Sequence, residues 1–391
     1  MTVPASPGDR RGRFLVTHNP VGAHMDRWTE AEARNWWQAR PWICGLNFLP
    51  STAVNFIEMW HGDTFDAATI DRELGWAADA GFNAVRVNLP FLGWVHDRDG
   101  LIGRIDRMMD LAAGHGIDTV LCLFDDCGFG GEEPVWGPQP DPVPGIHNSR
   151  AVASPGRAAV MDHTLRPQLE AYVCDIVARF RDDRRILFWD LYNEPGNRMD
   201  FDKTAYSQFD ADLEAAALSL MESCFAWARD EAPLQPLTVA AWTTPLPDED
   251  AHPYQTEIDR SALRQSDIVT FHAYWNRDRV AHFIDYLSAL DRPVICTEWM
   301  ARAVDSRIPD QMILFHERGV GCFQWGLVKG RTQTWLPWPD ELVRAHGGTP
   351  DRSKWFHDLL HEDGSPYDPA EIATIATLTG KDAPQGQKET G

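Results

Sequence analysis

Short apolar runs alternate with amphipathic stretches along most of the chain. WICGLNFLP (42–50), AVRVNLPF (84–91), DTVLCLFDD (118–126), ILFWDLYNEP (186–195), LTVAAWT (237–243), DIVTFHAYW (267–275), RPVICTEWM (292–300) and VGCFQWGLV (320–328) are the eight runs. They are apolar almost continuously, as strands buried on both faces of a parallel sheet must be. The stretches between them carry apolar residues at helical spacing: 65–81, 101–116, 161–181, 210–231, 256–264, 280–290, 305–319 and 351–362. Asp66 is a ready N-cap for the first helix and Gly81 closes it. One connection breaks the rhythm, a Gly- and Pro-rich loop over 127–156 that is long enough to suggest a functional element.

Strict alternation predicts a parallel sheet, and eight repeats predict its closure into a single (β/α)8 TIM barrel. An open doubly wound sheet is the alternative, and it gives no reason for eight. The expected organisation is an N-terminal flanking segment over 1–35, the barrel over 36–368 and a flexible tail over 369–391.

Composition narrows the partners. A net charge of −22 repels phosphate backbones and anionic membrane surfaces, so neither nucleic acid nor a membrane is expected as a partner. No apolar run approaches the roughly 20 residues that span a bilayer. The first twenty residues contain arginines without an apolar stretch behind them, unlike a secretory signal. Seven scattered cysteines without zinc spacing suggest a reduced, cytoplasmic protein. The 17 tryptophans suit either core filling or flat platforms for a neutral ligand. Oligomeric state is not legible.

In such barrels the active site lies at the C-terminal ends of the strands. There the first run offers Asn47 and, in its loop, Glu58, Trp60, His61 and Asp63. The second offers Arg86 and Asn88, the third Asp125 and Asp126, the fourth Asn193 and Glu194. Trp242, His272 with Tyr274, Glu298 and Trp325 end the remaining four. Glu194 and Glu298 therefore face each other across the mouth, and two carboxylates flanking one bond are what glycoside hydrolysis requires. One donates a proton to the leaving oxygen while the other attacks the anomeric carbon or activates water. Arg86 and Tyr274 are expected to keep Glu298 ionised, Asn193 to donate to a sugar 2-hydroxyl, and Trp325 to stack under a sugar ring.

The bland readings are a turn carboxylate for Glu194, a structural ion pair for Arg86, a core role for Trp325 and a cap or brace for Asp125 or Asp126. His147 and Trp136, in the long loop, either line the pocket or pack beneath it.

The set RVNLP, NEP, HAY, TEW and QWG, in that order, resembles the clan A retaining glycoside hydrolases, most closely family 5, over residues 42–361. The resemblance implies Glu194 as acid/base, Glu298 as nucleophile, Arg86 as the nucleophile's partner and Asn193 as the 2-hydroxyl reader. It implies His272 and Tyr274 as the sixth-strand pair and Trp325 as the stacking platform. The chain departs from the family at strand three, where Asp125-Asp126 stands in place of the common histidine; the pair reads as a hydroxyl-reading or cationic subsite. The function expected is an exo-acting retaining β-glycosidase for a small carbohydrate with a gluco-, manno- or xylo-configured terminal sugar. No cofactor or metal is required. The alternatives are an endo-acting β-glycanase, a metal-dependent sugar isomerase or epimerase using Glu194, Glu298, Asp125 and His272, and a carbohydrate-binding barrel without catalysis.

Overall fold

A computed structural model of the protein describes residues 26–246 and 251–381. Of the expected flanking segment and tail, residues 1–25 and 382–391 lie outside the described ones.

Eight parallel strands form the barrel: β1 Cys44–Asn47, β2 Ala84–Asn88, β3 Asp118–Asp125, β4 Ile186–Asn193, β5 Leu237–Thr238, β6 Val269–His272, β7 Val294–Trp299 and β8 Gly321–Trp325. They neighbour one another in the order β5-β4-β3-β2-β1-β8-β7-β6. A parallel bridge between Ala241 and Phe271 joins β5 to β6 and completes the ring. The ladder of β5 is short because side chains take over its partners. Ser266 Oγ accepts from Val239 N at 3.1 Å, and Asp259 Oδ1 accepts from Trp242 N at 2.9 Å. The helix Ala67–Ala80 begins and ends as its sequence requires: Asp66 accepts from Thr69 N, and Gly81 takes the left-handed conformation at φ +114°.

The interior is layered. At the bottom, Ile43, Ala84, Val120, Phe188, Ile268, Ile295 and Phe323 form one buried cluster. The helix Glu30–Gln38 closes this end with Ala33, Trp36 and Trp37. Packing is tight: a Cβ on Gly45 would stand 2.4 Å from the Phe323 ring, so only glycine fits opposite it. Toward the mouth the filling becomes polar, with Asn47, Arg86, Asp190, Thr297 and Gln324 all buried.

Three segments differ from expectation. Residues 351–362 are not a helix. Phe356 to Leu360 are buried at five successive positions, which no single helix face allows. Leu359 and Leu360 instead donate to Leu327 O at 2.9 and 2.8 Å. Helices Asp340–Ala345 and Pro369–Thr379 carry the helical turns of this region. The second begins where the tail was expected and packs Ile372, Ile375 and Ala376 into the core, while Glu371 pairs with Arg302. An antiparallel hairpin, Met199–Phe201 with Tyr206–Gln208, follows β4 at the mouth. No helix of the described residues is long and apolar enough to cross a membrane.

Candidate active site

Past the end of β4, Glu194 takes a left-handed backbone at φ +43°, which costs a non-glycine residue about 1–3 kcal/mol. Asp126 braces that turn, accepting from Gly196 N at 2.7 Å and Tyr192 Oη at 2.9 Å. Burial pushes the Asp126 carboxyl up to about 7, against the pull of these donors. The turn delivers the Glu194 carboxylate to the mouth. Its Oε1 lies 2.8 Å from His272 Nδ1. Its Oε2 accepts from Asn197 Nδ2 at 2.7 Å and from the Cys127 thiol at 3.1 Å.

Glu298, near the end of β7, accepts from Arg86 Nη1 at 3.0 Å and from Tyr274 Oη at 2.9 Å. Arg86 lies beneath the site, 2% exposed, and is used on every side. It donates to Asp190 Oδ2 and Asn47 Oδ1, each at 2.8 Å, and to Asn193 Oδ1 at 2.7 Å. Asn193 in turn donates Nδ2 to Asp125 Oδ1 at 2.8 Å, and Asn88 holds Asp125 Oδ2 at 2.7 Å. One guanidinium thus orients Glu298 and the amide beside Glu194 together.

Glu194, Glu298 and His272 each bring one polar atom within 4.8 Å of the others. They titrate as a unit. Burial raises both carboxyls. At Glu194 the hydrogen bond and charge of His272 outweigh it, and the carboxyl lies below its ordinary value. At Glu298 burial and the Glu194 charge prevail over His272, Arg86 and Tyr274, and the carboxyl lies above its own. His272 is raised, because the Glu298 and Glu194 charges overcome the penalty of burial. The free site is therefore poised in the sense opposite to the sequence expectation for Glu298. The Arg86 charge is shared with Asp190, 2.8 Å away, while His272 sits nearer Glu194 than Glu298, at 2.8 against 3.8 Å.

A cavity of about 230 Å³ opens over these groups. Of the expected residues, Asp125, Asn193, Glu194, Trp242, His272, Tyr274, Glu298 and Trp325 line it, and Arg86 supports it from below. Two do not belong. Asp126 points away from the mouth, as the residue after Asp125 on an extended strand end must. Glu58 accepts from Val54 N at 2.6 Å and pairs with Arg331 at 3.1 Å, tying the β1 loop to the β8 loop. Trp136 lies against His61 outside the pocket, whereas His147 lines it. Asn55, Cys127, Asn148, Phe201 and Trp338 also line it and were not expected. Cys127 and Asn197 stand within three residues of expected site positions, which is the signal that could have found them; the others are on loops without periodicity.

The long loop after β3 and the loop after β8 meet across the mouth. Gln333 Nε2 donates to Val143 O at 2.8 Å and Ile146 O at 3.2 Å, and its Oε1 accepts from Gly145 N at 3.2 Å. Arg331 pairs with Asp141 at 3.1 Å, and Asn55 Nδ2 donates to Gln139 Oε1 at 2.8 Å. Together they wall one side of the cavity.

The trio Glu194, His272 and Glu298 is also the donor set that a metal-dependent isomerase would need. Its atoms are already bonded to one another and to neighbours, and Arg86 sets a fixed positive charge 3.0 Å from Glu298. Asp125, the expected fourth ligand, is turned to Asn88 and Asn193. These residues do not fit a resident metal.

Comparison with known proteins agrees with the geometry. Residues 49–329 match the family model for cellulase (glycosyl hydrolase family 5). No curated protein sequence matches the chain. Among solved structures, GH5_18 from Streptomyces cattleya, in complex with GlcNAc, superposes with a TM-score of 0.58 at 16% identity, covering 88% of this chain and 82% of that one. The endo-β-1,4-mannanase from Thermotoga petrophila gives 0.54 at 15% identity over 88% and 78%. The β-1,4-D-mannanase from Cryptopygus antarcticus gives 0.53 at 12% identity over 88% and 92%. At such identities the likeness carries the fold, and the family model carries the assignment. The chain belongs to glycosyl hydrolase family 5 and is a retaining glycoside hydrolase.

Proposed function

We propose that the protein is an exo-acting β-glycosidase that releases one terminal sugar from a small β-linked glycoside or oligosaccharide in the cytoplasm. The observation that carries the chemistry is the pair Glu194 and Glu298, with oxygens within 4.8 Å of each other over one cavity. Retaining enzymes hold their carboxyl groups ~5–5.5 Å apart, whereas inverting ones need ~6.5–9.5 Å to admit a water. Glu298 attacks the anomeric carbon, forming a bond to it as the bond to the leaving oxygen breaks, and Glu194 gives that oxygen a proton. Water then adds to the anomeric carbon, Glu194 takes the water's proton, and the Glu298 ester is released. His272 Nδ1, 2.8 Å from Glu194 Oε1, is the nearest store for the proton Glu194 must hold in the first step. Asn193, fixed by Arg86 and Asp125, turns its second N–H to the Cys127 thiol sulfur at 3.4 Å, a weak acceptor that a sugar 2-hydroxyl would displace. Trp325 supplies the platform, and Trp242, whose Nε1 donates to Pro195 O at 3.2 Å, flanks the leaving group.

The exo reading rests on the wall between the β3 and β8 loops. It rests also on a cavity below the ~300–1,000 Å³ of common ligand pockets, room for one or two rings. A manno-configured sugar is the first choice, because several similar structures are β-mannanases and one, a GH5_18 variant, is bound to Manβ1-4GlcNAc. Gluco- and xylo-configured sugars come next. The same mannanases favour a second reading, endo action on β-mannan. The cytoplasmic reading is supported by seven free cysteines, six of them buried. The test is hydrolysis of 4-nitrophenyl β-mannoside, β-glucoside and β-xyloside and of β-1,4-manno-oligosaccharides, with Glu298→Gln as control. Release of single sugars from one end, absent in the variant, is expected. Internal cleavage would replace exo with endo action, and activity lost to a chelator would return the metal alternative.

A further inference from the structure

Four asparagines line the cavity, and three spend their amides on the protein. Asn55 donates to Gln139 and to Arg150 O, Asn88 to Asp125, and Asn193 to Asp125 while accepting from Arg86. Asn148 differs. It is 8% exposed, yet its side-chain amide bonds to nothing among the described residues. The amide therefore opens into the cavity with donor and acceptor both available to a ligand.

Its backbone is also unusual. At φ +44° Asn148 is left-handed, a conformation that glycine adopts freely and asparagine tolerates. The segment around it is clamped. Gln333 gathers Gly145, Val143 and Ile146. The neighbouring His147 Nδ1 lies 2.7 Å from Leu336 O, and Asn148 O accepts from Ala151 N at 3.0 Å. The main chain is fixed while the side chain is free, which is how a site holds a reading group ready.

The position indicates what it reads. The His147 ring is 5.2 Å from that of His357, which lies 5.7 Å from Tyr274 and 6.4 Å from Trp325. His147 thus sits on the side of the stacking platform and of Tyr274, the partner of Glu298, and Asn148 follows it in the chain and lines the same cavity. We infer that Asn148 is a specificity-determining residue, its amide N–H and C=O pairing with two neighbouring hydroxyls of the terminal sugar on Trp325. An amide presents a donor beside an acceptor, which matches a vicinal diol. The inference rests on the glycosidase reading above.

Asn148→Gly tests it, because glycine removes the amide and relieves the left-handed strain. On the 4-nitrophenyl β-glycoside that the wild type cleaves best, kcat/KM should fall about tenfold or more, with Tm unchanged or higher. In the wild type, removing the hydroxyls that Asn148 reads should cost a similar factor, seen with the 2-, 3-, 4- and 6-deoxy forms of that substrate. Asn148→Gly should be indifferent to the same deletions. Asn148→Asp, which keeps shape and backbone tolerance but loses the donor, should fall between. Unchanged kcat/KM in Asn148→Gly, or deoxy penalties identical in both proteins, would overturn the inference while leaving the glycosidase reading intact. A wild type inactive on every glycoside and oligosaccharide tried would overturn both.

Discussion

Arg86→Met is the perturbation that most directly tests how this site is held. Methionine fills much of the arginine stem but brings neither charge nor donors. The substitution strips Asp190, Glu298, Asn47 and Asn193 of contacts at 2.7–3.0 Å. The side chains of Arg86 and Asp190 are 1% and 0% exposed and that of Glu298 is 6%, so water cannot replace what is lost. Removing one partner of a buried ion pair costs about 3–5 kcal/mol, a large share of the ~5–15 kcal/mol that holds a domain folded. Urea unfolding, followed by tryptophan fluorescence at neutral pH, should show that loss. Adding Asp190→Asn to Arg86→Met removes one orphaned charge and should recover part of the stability without restoring activity. Loss of one preorganised donor costs ~10²–10³ in rate, and here Glu298 and Asn193 each lose one. Arg86→Lys should keep more stability than Arg86→Met but lose activity too, since one ammonium cannot reach four partners. If Arg86→Met unfolds within about 0.5 kcal/mol of the wild type, the range of neutral surface changes, the hub argument is wrong. The same follows if Asp190→Asn recovers nothing.

Two further predictions concern the carboxyls. Glu194→Ala should lose ~10²–10⁴ in kcat on substrates with poor leaving groups while sparing activated aryl glycosides, with azide restoring turnover of the latter; equal loss on both classes would remove the acid/base role. The pH profile of kcat/KM should be a bell. Glu298 must lose its proton to attack and its value is raised above 4.5, so activity rises through an acid limb above 4.5. The proton shared by His272 and Glu194 is lost through the raised His272 value, so the alkaline limb lies above 6.5. A maximum below pH 4.5 would contradict both assignments.

What the sequence discloses here and what it hides have physical causes. The strands are legible because both their faces are buried, so each reads as an unbroken apolar run, and the polar residues that end the runs meet at one mouth. Asp125 and Asp126 show the limit. Two identical neighbours on a strand end point opposite ways, and only the fold decides which faces the substrate. Residues 351–362 have the composition of a helix but fold as turns and irregular chain because Phe356 to Leu360 are all needed inside. Gln333 and Glu58 work through contacts between loops far apart in sequence, and no local pattern marks them or Asn148.

The same division separates chemistry from choice of substrate. Every group proposed to form or break a bond stands at a strand end or is wired to one, and Arg86 couples β2 to β1, β4 and β7 through buried side chains. Such a hub cannot change piecemeal, since each partner left alone is a buried charge or an unpaired amide. The groups that shape the cavity wall, Asn55, Asn148, Gln333 and Arg331, lie on loops whose bonds run mostly to one another. Their replacement strands none of the charges that Arg86 holds, the nearest loss being the pairing of Arg331 with Glu58 in the β1 loop, so the wall can be altered without undoing the catalytic floor. Breaking the loop clamp should therefore change which glycosides are accepted before it changes how fast an accepted bond is cleaved.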